Sequence, residues 1–357
     1  MKVLFVTEQT ILGGGEINLA NVIHEYLIRG IDVYISAPKD AKIFSLLPSN
    51  VTIIEEPKLL QRGWFSFFPL FWRQIKPYPE QFDYIHFYSS NVITKFLLFK
   101  GKKIWTIHGY WECRSFLKGL VSRLFVKNVT CVSLDVKNTV GFWKDKANVV
   151  ELSVGSPLFD KLIRLKQSKP NDSCIKILCL GRFQKIKRQD LLISALSALP
   201  FNIECKMVGA VNNKHPEDKN YYQKCLLLAE KLMSTDSNWG KNIDISTHVL
   251  DPSTLFLWAD ICVIPSDYES FSMVTVESLL SSTPIVITDA GAPKFILGDG
   301  VAGEVFQQGD VVSLSNAILM LINRLHTITA EHFERYKTKY CIVRQVDEYI
   351  DFYINKT

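Results

Sequence analysis

The stretch CVIPSDYESFSMVTVESLLSSTPIVIT, Cys262 to Thr288, reads as strand, helix, strand. Its ends are short apolar runs of the kind that fill buried strands, and its middle has helical spacing. Ser270 or Ser272 can cap that helix, which runs to about Ser282 and is stopped by Thr283-Pro284. Two buried strands joined by a helical crossover form one unit of a parallel sheet. Into this unit are set two carboxylates, Glu269 in the turn and Glu277 eight positions on, within the helix.

The alternation extends both ways. KVLFVT, DVYISAP, DYIHFYS, KIWTIHG and VTCVSLD read as strands of the first half, with a helix over Glu16–Arg29. A polar segment from Lys161, containing Pro170, reads as a connection. The pattern then restarts with IKILCLGRF, a helix from about Lys187, NIECKMVGA, YYQKCLLLAEKLM, NIDIST and ADICVIPS. The expected fold is α/β, with two Rossmann-like doubly wound parallel-sheet domains facing a central cleft. The expected bounds are 1–158 for the first domain, 159–335 for the second, and 336–357 for a helical tail returning to the first.

Apolar content of 47% and charge of 22% are those of an ordinary globular chain. No apolar run is long enough to span a bilayer, and the start lacks a secretory cleavage pattern, so a cytoplasmic protein is expected. The eight cysteines form no C-x-x-C pair, and Cys179, Cys205 and Cys262 fall in expected buried strands, which points to reduced thiols. Residues 1–156 carry a net charge of +6 and the remainder −1, a hint of an anionic partner for the first half.

Four segments have the chemistry of a site. GRFQKIKRQD gathers Arg182, Lys185, Lys187 and Arg188 at or before a helix start, where cations are unfavourable unless an anion shares them. Gly13, Gly14 and Gly15 allow a tight turn and close ligand approach, yet the G-x-G-x-x-G fingerprint fails at Asn18, which disfavours a nicotinamide dehydrogenase. TIHGYWE puts His108 at a strand end. In the opening stretch, the amides of Phe271, Ser272 and Met273 face out of the helix start. Glu277 lies about five residues in, a rise of roughly 7.5 Å, and its side chain leans back toward that start. Glu269 flanks the same point from the loop, and two carboxylates bracketing a diphosphate suit a nucleotide sugar. On spacing alone, Glu277 reads equally well as a favourable acid near a helix start.

Together the motifs resemble the retaining glycosyltransferases of family 4, of GT-B architecture. The glycine turn Gly13–Glu16, TIHG at Thr106–Gly109, GRFQKIK at Gly181–Lys187, ADICVIPS at Ala259–Ser266 and the E-x7-E pair Glu269/Glu277 follow the family's order. The resemblance implies that Arg182 and Lys187 neutralise the donor diphosphate, Glu277 holds the ribose, and Glu269 contacts sugar hydroxyls. It also implies that Phe271, Ser272 and Met273 offer amides, that His108 faces the transferred sugar, and that Gly14 and Gly15 approach the phosphate or the acceptor. The donor would be a UDP- or GDP-linked hexose, and the acceptor a saccharide or lipid-linked saccharide of cell-surface polysaccharide or glycolipid biosynthesis. No metal cofactor and no nucleic-acid partner are expected, and D-x-D is absent from the sequence. Ser270 and Ser272 stand where the family often has glycine.

Arg62–Lys76 and Arg114–Lys127 are basic and amphipathic or aromatic, which suits peripheral contact with anionic lipid on the inner face of the cytoplasmic membrane. A core-facing helix with a solvated basic edge fits each segment as well. Two other readings share the architecture: a nucleotide-sugar 2-epimerase, and a non-catalytic sugar-binding protein.

Overall fold

Strands with no charge on either face are stable only where helices cover both faces. The computed structural model places β11 (Ile261–Ile264) and β12 (Ile285–Thr288) so, every residue of both being buried. The structure describes residues 1–60, 75–113, 125–155, 174–212, 215–234, 240–247 and 252–356. Most of Arg62–Lys76 and Arg114–Lys127, and the connection from Lys161 to Ser173, lie outside them. The chain divides into two compact units, Met1–Gly155 with Tyr340–Thr357, and Ser156–Lys339.

The first unit's sheet contains, among the described residues, β1 (Lys2–Val6), β2 (Asp32–Ala37), β3 (Thr52–Glu55), β4 (Tyr84–Phe87), β5 (Lys102–Ile107), β6 (Asn128–Cys131) and β7 (Asn148–Val149). They lie in the order β3-β2-β1-β4-β5-β6-β7, and all pairs are parallel. The second unit's sheet adds β8 (Ile175–Leu180), β9 (Ile203–Val208), β10 (Lys241–Ser246) and β13 (Gly303–Phe306) to β11 and β12. Their order is β10-β9-β8-β11-β12-β13, again parallel throughout. The strand order reverses between β1 and β4 in one unit and between β8 and β11 in the other. At such switch points flanking loops diverge and leave a crevice at the carboxyl ends.

The helix Ile342–Lys356 closes the first unit's core. Tyr353 stacks on Tyr84 with ring centroids 4.6 Å apart, and its hydroxyl meets His86 Nδ1 at 2.6 Å. His86 Nε2 lies 2.7 Å from Thr106 Oγ1, so this buried imidazole ties the helix to β4 and β5; burial lowers it to about 3. Asn18 and Gln345 exchange amide hydrogen bonds of 2.8 and 3.0 Å. Residues 336–339, read from sequence as tail, instead finish the helix Glu331–Lys339 of the second unit, where the Tyr336 hydroxyl donates to the Leu297 carbonyl at 2.7 Å. All eight cysteines are free thiols, and Cys179, Cys205 and Cys262 are buried. No single helix among the described residues is long and apolar enough to cross a membrane.

Candidate active site

At the carboxyl end of β8 the chain turns through Gly181 and Arg182 into a short 3-10 turn, Lys185–Lys187. The helix read from about Lys187 begins instead at Gln189, because Arg188 adopts a left-handed conformation, φ +51°, as its N-cap. Arg188 donates to Asp267 at 2.8 Å and lies within 3.4 Å of Asp190, so these carboxylates take up its charge. The buried side chain of Gln189 donates to the Gly181 and Arg182 carbonyls at 3.3 and 3.1 Å, and fixes the loop between. Gly209 packs on the same loop, where a Cβ would lie 1.8 Å from the Gly181 carbonyl oxygen. Arg182 is exposed.

Lys187 meets the opening stretch directly. Its ammonium donates to Glu269 Oε1 at 2.6 Å, and the Ser266 hydroxyl donates to the same oxygen at 2.8 Å. The backbone of Glu269 is clamped from its other side: its carbonyl accepts from the Ala292 N–H at 2.9 Å, and it bridges to Gly291. Gly291 has φ +82°, and a Cβ there would lie 2.2 Å from the Glu269 carbonyl oxygen. Only glycine fits such a contact.

The helix opens at Met273 and ends at Leu280, so its first amides have no partner within the helix. Its N-cap is Ser272, at φ +83°, whose Oγ accepts from the Thr275 N–H at 3.4 Å and from the Thr275 hydroxyl at 2.9 Å. Phe271 and Ser272 are buried at this helix start. Glu277 is the helix's fifth residue. Its carboxylate has no hydrogen-bond or ion-pair partner among the described residues, and burial pushes it up to about 7. The two glutamates therefore differ: one is held by a lysine and a serine, the other is without a partner.

In the first unit, Glu16 Oε2 accepts from the Gly13 N–H at 3.0 Å as the helix Gly14–Ile28 begins. The helix starts two residues before the Glu16 read from sequence. None of Gly13, Gly14 and Gly15 has a positive φ, so their use lies in close approach. A Cβ on Gly15 would lie 3.6 Å from His108 Nδ1. The His108 ring packs on Tyr88 with centroids 5.1 Å apart, and its Nε2 is buried without a partner. Burial lowers the imidazole to about 4, so it is neutral at physiological pH.

The structure thus joins Lys187 to Glu269 within the second unit, and Gly15 to His108 within the first. Sequence reading passed over Ser266, Gln189, Gly209 and Glu112. A signal existed for Glu112, an acid four residues beyond a strand-end histidine. None existed for Gln189, whose partners are backbone carbonyls.

The sequence model of the family described as glycosyl transferases group 1 matches residues 160–340. The chain is 25% identical over 293 residues, 73% of each chain, to an uncharacterised 41.2 kDa protein of the cps region of Klebsiella pneumoniae. It is 24% identical over 217 residues to LpsE of Rhizobium meliloti, a lipopolysaccharide core biosynthesis glycosyltransferase, and spans 58% of that protein's length. The crystal structure of HepE from Anabaena, in complex with UDP and glucose, matches with a TM-score of 0.77 at 17% identity over 98% of each chain, a likeness of fold.

Proposed function

The chain belongs to the glycosyl transferases of group 1, and from that premise we propose that it is a retaining hexosyltransferase. Its donor is a nucleoside-diphosphate sugar, UDP-linked in the first instance, and its acceptor a saccharide or lipid-linked saccharide of cell-surface polysaccharide or glycolipid synthesis. The observation that carries this reading is the Lys187–Glu269 pair, 2.6 Å apart, in the same unit as the partnerless Glu277. Lys187 and Arg182 balance the diphosphate, assisted by the first amides of the helix at Ser272 and Met273 and by that of Phe271. Glu277 accepts from ribose hydroxyls. Glu269, released as Lys187 turns to phosphate, accepts from sugar hydroxyls. His108, neutral, faces the transferred sugar, with Gly14 and Gly15 close to the ligand.

Cations and helix-start amides stabilise the nucleoside diphosphate as it leaves, the term that dominates when charge develops on a departing group. On this reading side chains provide the counter-charge, with no metal. The leaving phosphate then assists deprotonation of the acceptor on the same face, which retains configuration. The uncharacterised Klebsiella protein's cps region and the lipopolysaccharide core biosynthesis role of LpsE support a polysaccharide or lipopolysaccharide acceptor. The basic segments Arg62–Lys76 and Arg114–Lys127 support peripheral contact with anionic lipid.

The test is a thermal-shift panel of UDP, GDP, ADP, UDP-glucose and UDP-galactose, followed by nucleoside diphosphate release with and without saccharide acceptors. A ligand selective for the native state raises the melting temperature. UDP compounds should raise it, and release should need an acceptor. No shift with any of the five would sink the reading; acceptor-independent release would favour the epimerase class.

A further inference from the structure

The ring of His108 makes no side-chain hydrogen bond among the described residues, its Nε2 being an unpartnered buried atom. Its aim is therefore set by packing on Tyr88 and by the backbone that carries it. That backbone is anchored in an unusual way. After β5 the chain enters a 3-10 turn, Tyr110–Cys113, in which the Glu112 N–H donates to the Gly109 carbonyl at 3.1 Å. The turn folds the Glu112 side chain back over the strand end. Its Oε1 accepts from the His108 N–H at 2.8 Å. Its Oε2 accepts from the Ser90 N–H at 3.1 Å and from Trp105 Nε1 at 3.3 Å.

One carboxylate thus gathers donors from the ends of β4 and β5, and every donor is uncharged. No cation pairs with Glu112 among the described residues, and Glu8, itself holding Ser89 and Asn91 at 2.9 and 2.6 Å, faces it as a second acid. A neutral acceptor would satisfy these donors at a smaller desolvation cost. What the carboxylate adds is charge at both acceptor oxygens at once, which strengthens each bond relative to a neutral one. We infer that Glu112 is a positioning residue for His108, fixing the strand end from which the imidazole is presented to the substrate. This rests on the reading of His108 as facing the transferred sugar.

The shell has a consequence for pH. Burial and Glu8 raise the carboxyl to about 7 against the pull of the three donors. The other titratable groups near it are His108, which is neutral, and the thiols of Cys113 and Cys131. A proton on Glu112 would point at donors, so protonation loosens the anchor rather than replacing it.

Two measurements test this. In protein labelled with 15N-histidine, the His108 backbone amide resonance, assigned by its loss in His108→Gln, should move with a midpoint near 7. It should stay unmoved through that range in Glu112→Gln. A resonance that titrates equally in both proteins, or in neither, overturns the inference. Turnover of the donor selected by the panel is then compared for wild type, His108→Ala, Glu112→Ala and Glu112→Gln, each checked for folding by circular dichroism. Glu112→Ala should turn over about 10- to 100-fold more slowly with donor KM within about threefold, the scale for a reacting group misplaced by about an ångström. Glu112→Gln should recover most of the loss at pH 8 and lack the fall below pH 7. Loss in His108→Ala beside wild-type turnover in folded Glu112→Ala overturns the positioning role alone. Wild-type turnover in His108→Ala overturns the reading of His108 and this inference with it.

Discussion

The two switch-point crevices handle acids in opposite ways. Beyond β8 and β11, acids are met by cations, Lys187 facing Glu269 and Arg188 facing Asp267 and Asp190. Beyond β1, β4 and β5, Glu8 and Glu112 are held by backbone amides, an indole, a hydroxyl and a carboxamide. A lysine is a compact charge on a flexible stem, so it can leave one anion for another without orphaning any buried group. An amide that donates to a carboxylate has no such freedom, since breaking the bond leaves buried backbone unsatisfied. The second unit's crevice is thus built to change partners, and the first unit's to hold a strand end still.

The largest effect should come from breaking the exchangeable pair. Lys187→Ala removes the countercharge proposed for the diphosphate and leaves Glu269 with Ser266 alone. Turnover should fall about 10²–10³-fold, the scale for one transition-state contact; wild-type rates in steady-state assays would refute the assignment. Gly291→Ala comes next. Its Cβ would press on the Glu269 carbonyl oxygen at a positive φ, so stability should drop by about 2–3 kcal/mol. Urea unfolding followed by tryptophan fluorescence would measure the loss. An unchanged midpoint would mean that the loop before the helix Pro293–Leu297 yields freely, and that Glu269 is not held by it.

Glu277 sharpens the contrast, being the acid that neither strategy satisfies. Its folded carboxyl titrates near 7, above the ordinary value of 4.5. Between those values the folded state binds more protons than the unfolded one, so stability falls as pH rises through that window. Glu277→Gln should flatten this profile and be more stable than wild type at pH 8 by about 1 kcal/mol. If Glu277 holds the ribose as proposed, the same change should weaken UDP binding about tenfold, as expected for losing a charged hydrogen-bond acceptor. Isothermal titration and pH-dependent melting check the two signs together. Gain of stability without loss of affinity would reduce Glu277 to a tolerated half-buried acid.

Much of this architecture was legible because parallel strands buried on both faces advertise themselves as apolar runs. β1, β11 and β12 could be read so, and β9, IECKMV, by its alternation of buried and half-buried residues. β3 and β13 could not: Thr52–Glu55 is largely exposed, and Gly303–Phe306 is only four residues with a glutamate inside. The charged positions of the site were legible too, as cations at a helix start and acids eight apart. Which cation meets which acid was not. The Lys187–Glu269 contact joins residues 82 apart, a distance that periodicity does not reach. Nor does a sequence show that Gln189 holds two carbonyls, since the partners are main chain.

Ser272 gives the smallest prediction. A serine at φ +83° sits in the left-handed region that glycine enters freely, at a cost of about 1 kcal/mol or more. Against that stand its two bonds to Thr275, one of them a long 3.4 Å, and glycine replaces a serine N-cap at a loss of only a few tenths of a kcal/mol. Ser272→Gly should therefore raise stability by about 0.5 kcal/mol, a melting shift of roughly 1–2 °C for a unit of this size. UDP affinity should stay within about twofold, since the amides at the helix start keep their places. A lower melting temperature would show that the pair with Thr275 outweighs the backbone term. The conformation of this helix start would then depend on the serine side chain itself, and a mobile glycine there would loosen the exchangeable crevice where the diphosphate is proposed to bind.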